Sequence, residues 1–202
     1  RVPLDIKLTQ LVKLWKNGEP FKMSKRAGNF VTLRDVVDAV GKDVTRFHML
    51  TRKNDAPLDF DFDKVLEQSR ENPVFYVQMA HARARSIQAK AAEAGFWPTA
   101  AGALDTDLSP LSSERELDVL RTLAEFPEIM AIACRERAPH KIATWVRQLA
   151  AAFHGFYHDC YVMGDGITPE VTAARLWLVE AARIGLATGL GVLGVTAPDE
   201  MR

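Results

Sequence analysis

The sequence predicts a mainly α fold: a short β-hairpin and a loop segment, followed by an all-α helical bundle. Three observations predict it. Asn17-Gly18 sits between two short runs, a strong hairpin signal because a type I′ turn needs positive φ at both central positions. From residue 63 onward, proline and capping residues open one helical segment after another. The 202 residues are 48% hydrophobic and 26% charged, which suits a chain with a buried core and excludes a disordered one.

The hairpin pairs residues 8–16 with 19–23. Thr32, with Asp35 three residues on, opens a helix with Val36, Val37 and Val40 on one side, and Gly41 stops it. A second short helix covers about residues 43–51. Residues 53–62 read as a polar connection containing Pro57. Asp59, Asp61 and Asp63 begin like a calcium loop. Lys64 stands where that loop needs Gly, and Arg70 where it needs Glu, so the calcium reading fails. What remains is a short extended piece with Phe60 and Phe62 on one side, then Asp63 capping a helix over 64–70. Pro73 opens a long helix to about Ala94, ended by Gly95. Residues 96–111 form a loop rich in Pro, Gly, Ala and Asp. Ser113 and Glu116 make a capping box for a helix to Phe126. Pro127 opens the next helix, and Pro139 another that runs to about Val162. A turn at 164–168 precedes a last long helix from Pro169 to about Leu193.

The apolar stretch Ile184–Ala197 is too short to span a bilayer, so no membrane is expected. Its Gly185-x-x-x-Gly189 reads instead as a helix packed closely against a neighbour. Formal net charge is zero, but it divides unevenly. Residues 1–71 hold 14 Lys+Arg against 11 Asp+Glu, and residues 72–202 hold 12 against 15. The expected boundary therefore falls near residue 70, with domains at 1–70 and 71–202. Two cysteines, Cys134 and Cys160, are too few for a disulfide scaffold or a four-cysteine zinc site. With no legible signal peptide they point to a reducing compartment and a cytoplasmic location. His154 and His158 share a helix face, but Cys160 falls off that face, no other ligand is evident and no metal site is expected. No serine–histidine–aspartate arrangement is legible.

Two groups of residues carry candidate chemistry. Lys22-Met23-Ser24-Lys25, followed by Arg26, Ala27 and Gly28, suits an anionic ligand, since lysine ammonium groups act as mobile charges on phosphate. Tyr76 and Arg83, seven apart, share a helix face. Tyr157 and Tyr161, four apart, share another. By periodicity alone such aromatics are core residues. Exposed, they would offer planes on which splayed RNA bases stack. Arg83, Arg85, Arg135, Arg137, Lys141 and Arg147 would form one basic face if the fold gathers them; scattered, they imply weak nucleic-acid binding by this chain.

Lys22-Met23-Ser24-Lys25 with Arg26 resembles the KMSKS signature of class I aminoacyl-tRNA synthetases. Gly18-Glu-Pro-Phe-Lys-Met-Ser-Lys-Arg-Ala-Gly-Asn-Phe-Val-Thr-Leu-Arg-Asp-Val-Val is similar to arginyl-tRNA synthetases of bacterial type. So are Lys53-Asn-Asp-Ala-Pro-Leu-Asp-Phe-Asp, Asn72-Pro-Val-Phe-Tyr-Val-Gln-Met-Ala-His-Ala-Arg and Leu193-Gly-Val-Thr-Ala-Pro-Asp-Glu-Met. The resemblance covers nearly the whole chain.

It implies that Lys22 and Lys25 are the catalytic lysines that offset phosphate charge during adenylation. Met23 and Ser24 would complete the ATP-binding loop, and Arg26 stands where many relatives have Ser. It also implies that the helical part is an anticodon-binding domain. Tyr76, Arg83, Tyr157, Tyr161 and Met201 would then face the anticodon of tRNA-Arg. The implied substrates are ATP, arginine and tRNA-Arg, with Mg2+ in the full enzyme, and the implied state is a monomer. No HIGH-like motif and no strand–glycine turn–helix unit is present. The arginine pocket is therefore expected outside this chain, which looks like the carboxyl-terminal third of the enzyme and is expected to be inactive alone. The other readings are a non-catalytic helical RNA-binding module, a plain interaction protein, or part of another class I synthetase such as the cysteinyl enzyme. The Lys22–Lys25 string discriminates against a pure binding module.

Overall fold

A computed structural model describes residues 4, 6–21, 30–96 and 105–201. Asn17 and Gly18 have φ of 54° and 75°, the positive values that the turn requires. They join β1 (Val12–Lys16) to β2 (Glu19–Pro20) in an antiparallel pair, with Trp15 opposite Pro20. The paired strands are shorter than the sequence suggests: residues 8–11 lie outside β1, and residues 22 and 23 lie outside the described residues.

The expected polar connection at 53–62 contains a third strand, β3 (Leu58–Asp61), parallel to β1 with Leu14 opposite Phe60. The correction has a simple cause. Leu58-Asp59-Phe60-Asp61 alternates with period two, burying Leu58 and Phe60 while Asp59 faces solvent. A parallel partner needs a crossover, which α1 (Leu33–Val40) and α2 (Lys42–Leu50) supply. The expected capping box closes α1: Asp35 N–H donates to Thr32 Oγ1 at 3.1 Å, and Thr32 N–H donates to the Asp35 carboxylate at 2.7 Å.

Asp63 does not cap a helix over 64–70. Only Lys64–Leu66 makes a 3-10 turn, and Glu67 is extended. The Asp63 carboxylate accepts the Asn17 N–H at 2.6 Å. The Asn72 amide donates to the carbonyls of Val65 and Glu67, both at 2.8 Å, so these carbonyls are satisfied without a helix.

The bundle contains α3 (Pro73–Glu93), α4 (Glu114–Ala124), α5 (Phe126–Glu136), α6 (His140–Asp159) and α7 (Pro169–Val192). Helix α6 lies at the centre, against α3, α4, α5 and α7. Its Trp145, Val146, Leu149, Ala150, Phe153 and Phe156 are buried in one large core. Each large apolar side chain so buried contributes about 1.5–3 kcal/mol. The glycine spacing in α7 is a close helix contact, as expected. A Cβ at Gly189 would stand 2.9 Å from Val146 Cγ2, and one at Gly185 would stand 2.7 Å from Leu123 Cδ2. A smaller core holds Leu14, Val36, Val40, Phe60 and Val65. Helix α2 serves both cores: Phe47 is buried in the large one, and Val44 packs against each.

Helix α6 stops at Asp159, short of the expected Val162, because Cys160 is extended at φ −121° and ψ 110°. Among the described residues no helix is long and apolar enough to cross a membrane.

Candidate nucleic-acid interface

Helices α3 and α6 pack side by side and carry one continuous polar and aromatic face. Tyr76 is half-buried against the large core and stacks at a tilt on His154, with ring centroids 4.4 Å apart. One turn further along α6, Tyr157 is 45% exposed. The Arg83 guanidinium lies over its ring, 5.0 Å from the centroid, and donates to His154 Nδ1 at 2.8 Å. The sequence spacing that puts Tyr76 and Arg83 on one face of α3 thus places both against His154 of α6.

Tyr161 does not share that face. The extended backbone at Cys160 carries it off the helix, so the four-residue spacing from Tyr157 has no helical meaning there. Its side chain is 78% exposed, and its carbonyl accepts from Arg175 Nη1 at 2.6 Å. Arg175 in turn donates to Glu116 at 2.7 Å. The same Glu116 carboxylate completes the expected capping box on Ser113 at 2.8 Å. Burial alone would push Glu116 upward, but the hydrogen bonds from Arg175 and Ser113 hold it below the usual carboxylate range.

Met201 reaches α3 by a strap of chain. After α7, the carbonyl of Leu193 accepts from Arg46 at 2.9 Å, and Thr196 N–H donates to Asp43 at 3.1 Å. The Thr196 carbonyl accepts from Gln78 at 3.0 Å, and the Pro198 carbonyl meets His81 at 2.8 Å. Asp199 then pairs with Arg85 at 3.0 Å. These contacts set Met201 beside α3, where it lines a groove of about 880 Å³ with Met79, Arg83, Arg85 and Ser86.

A second notch of about 370 Å³ opens at Tyr76, lined also by Arg70, Thr144, Arg147 and Gln148. Arg147 and His154 are seven apart on α6, the same spacing as Tyr76 and Arg83 on α3. That match was present in the sequence, which drew attention to His154 only as a metal ligand. Among the described residues no three His, Cys, Asp or Glu side chains are grouped to hold an ion.

The six basic residues that would make one face if gathered fall into separate places. Arg83 and Arg147 lie on the α3–α6 face, while Arg85 is spent on Asp199. Lys141 pairs with Glu136 at 3.3 Å. Arg135 and Arg137 end α5, where Lys7 holds the carbonyls of Glu136 and Arg137. The turn from α5 into α6 draws these last residues away from α3. Lys22, Met23, Ser24 and Lys25 lie outside the described residues.

Comparison with known proteins places this arrangement. A profile of the DALR anticodon binding domain matches residues 77–201. The arginine–tRNA ligase of Ruegeria pomeroyi is 58% identical over 208 residues, covering 100% of this chain and 36% of the relative. That of Roseobacter denitrificans is 56% identical, with the same coverage. The chain thus spans about a third of the length of the curated relatives it matches. Among solved structures, a Campylobacter jejuni protein assigned as an arginyl-tRNA synthetase superposes with a TM-score of 0.83 at 31% identity, over 96% of this chain and 40% of that one. The Thermus thermophilus arginyl-tRNA synthetase gives 0.65 at 28% identity, over 88% and 29%.

Proposed function

Because the chain belongs to the DALR anticodon-binding domain family, we propose that it is the tRNA-recognising, carboxyl-terminal part of an arginine–tRNA ligase. Residues 71–202 would bind the anticodon arm of tRNA-Arg. Residues 1–70 would supply the Lys22–Lys25 loop to an active site completed by the rest of a longer cytoplasmic protein. The observation that carries this reading is the α3–α6 face: two arginines and two tyrosines presented together on an otherwise acidic bundle.

The chemistry of that face suits a splayed anticodon loop. Tyr157 offers a ring, and Arg83 a guanidinium plane, on which unstacked bases can lie. The groove of about 880 Å³ lined by Arg83 and Met201 would take a base. Arg70 and Arg147 flank Tyr76 and would meet backbone phosphates. Tyr161 stands apart and would reach the RNA from the turn that Arg175 holds. In the complete enzyme Lys22 and Lys25, with Met23 and Ser24, would hold the phosphates of ATP, accompanied by Mg2+, as arginine is adenylated. Arginine itself would bind outside this chain, and the chain alone would catalyse neither step.

Titration of the chain with the tRNA-Arg anticodon stem–loop, and with a stem–loop altered only in the anticodon, tests the reading. The intact anticodon should bind more tightly, and affinity should fall as salt rises because phosphate contacts release counterions. Equal affinity for the two stem–loops would overturn the assignment of this face.

A further inference from the structure

His154 stands where the parts of the α3–α6 face meet. We infer that His154 is a positioning residue of the RNA face, its neutral ring holding the Arg83 guanidinium over Tyr157. The inference rests on the proposed role of that face and adds to it a residue that touches no RNA.

The tautomer follows from the partners. A guanidinium only donates, so Nδ1, 2.8 Å from Arg83 Nη1, must carry a free lone pair. The ring proton is then on Nε2, which donates to the Tyr76 carbonyl at 3.1 Å. Both ring nitrogens are committed, one to the arginine and one to the backbone of the helix that carries it. The ring plane is fixed a third time by Tyr76, whose ring lies 4.4 Å away.

Among the described residues, Arg83 is held without a carboxylate. A carboxylate partner would orient it as well, but would cancel the charge that attracts RNA. A neutral imidazole orients the guanidinium and leaves its full charge for the ligand. The charged and titratable groups around the ring agree with the neutral form. Arg83 and Tyr76 face it from α3, and Arg70 from the connection before α3. On α6, Tyr157 lies under Arg83, and His158 is turned to Asp159 at 2.6 Å. Burial first, then the two arginines, push His154 below the ordinary histidine range, against the hydrogen bond to the Tyr76 carbonyl that raises it. A protonated ring would have no lone pair for Arg83 and would set two cations against each other.

Three variants decide the matter: His154→Phe, which keeps a ring without a lone pair; His154→Gln, whose amide can accept from Arg83 and donate to the Tyr76 carbonyl; and Arg83→Ala. Each is titrated with the tRNA-Arg anticodon stem–loop at pH 7.5, after its thermal melt shows that it is folded. His154→Phe should bind about tenfold more weakly, the scale of a lost hydrogen bond to a charged group, and His154→Gln should recover most of that loss. In the Arg83→Ala background, His154→Phe should cost nothing further, because both changes remove one device. Nitrogen NMR of the free protein should find the proton of His154 on Nε2 from pH 6 to 8.

Wild-type affinity in His154→Phe, an additive loss in the double variant, or a proton on Nδ1 would each overturn the inference. If Arg83→Ala binds RNA as tightly as wild type, the reading of the face fails with it. The NMR result is then still read on its own, because it does not involve RNA.

Discussion

The two sides of the bundle hold their arginines in opposite ways. On helices α4 and α7 each of four meets a carboxylate: Arg115 with Asp159, Arg121 with Glu114, Arg175 with Glu116 and Arg183 with Glu180. On the α3–α6 face Arg83 meets a neutral histidine and a tyrosine ring. Arg70 and Arg147 have neither an ion pair nor a hydrogen bond among the described residues. The difference explains how a segment with a net acidic composition can still present positive charge. Asp159, Glu114, Glu116, Glu180 and Asp199 are each tied to an arginine, and net charge is a poor guide to where cations remain available.

The strongest way to break this comparison is at Glu116, which is 1% exposed and faces an Arg175 side chain that is itself only 16% exposed. Glu116→Ala leaves a buried guanidinium without its partner and two N–H groups, those of Ser112 and Ser113, without an acceptor. The expected cost is about 3–5 kcal/mol in denaturant unfolding. A loss under about 1 kcal/mol would mean that the pair is not what holds α4 to α7.

The other side should respond in the opposite sense. Tyr157→Ala should leave the melt nearly unchanged, because the residue is nearly half exposed and lies outside the buried core. It should weaken binding of the anticodon stem–loop by about 1–3 kcal/mol, the worth of one stacked base. Arg147→Ala should weaken it less, and should reduce the slope of log affinity against log salt by about one. A changed slope in Tyr157→Ala and an unchanged one in Arg147→Ala would reverse the roles given to stacking and charge.

Acid should test the fold through its histidines. Burial pushes His48, His81, His140 and His154 below the ordinary value. The unfolded chain then takes up protons near pH 6.5 while the folded chain resists them. Stability is complete above that pH and falls as pH drops below it. A melting temperature flat from pH 7 to 5 would contradict this. The smallest effect is expected at Arg121, whose partners Glu114 and Asp118 are all open to solvent. Arg121→Ala should shift neither the melt nor the RNA affinity.

Much of this was legible in the residues, because it depended on local rules. The Asn17-Gly18 turn, the Thr32–Asp35 and Ser113–Glu116 boxes and the prolines opening α3 and α7 are all local signals, and each is realised. What escaped depended on contacts far along the chain. β3 is a strand because β1 lies beside it, 46 positions earlier at Val12 and Leu58. Asp63 gives up a cap in favour of Asn17. The candidate site divides in the same way. Spacing within α3 was enough to align Tyr76 with Arg83. The meeting with His154 and Tyr157 needed the packing of two helices, and the place of Met201 needed the strap across α2 and α3.

Helix α2 has a consequence for how the molecule comes apart. Phe47 is embedded among the side chains of the bundle, while Val44 also lies against the core of the three-stranded sheet. Loosening either core therefore strips contacts from the same nine-residue helix. Charge composition divides the chain near residue 70, but cooperativity should not. The sheet and the bundle should melt in a single transition. The amides of α2 should exchange with solvent as slowly as those of α6, because no partial opening frees α2 without breaching both cores.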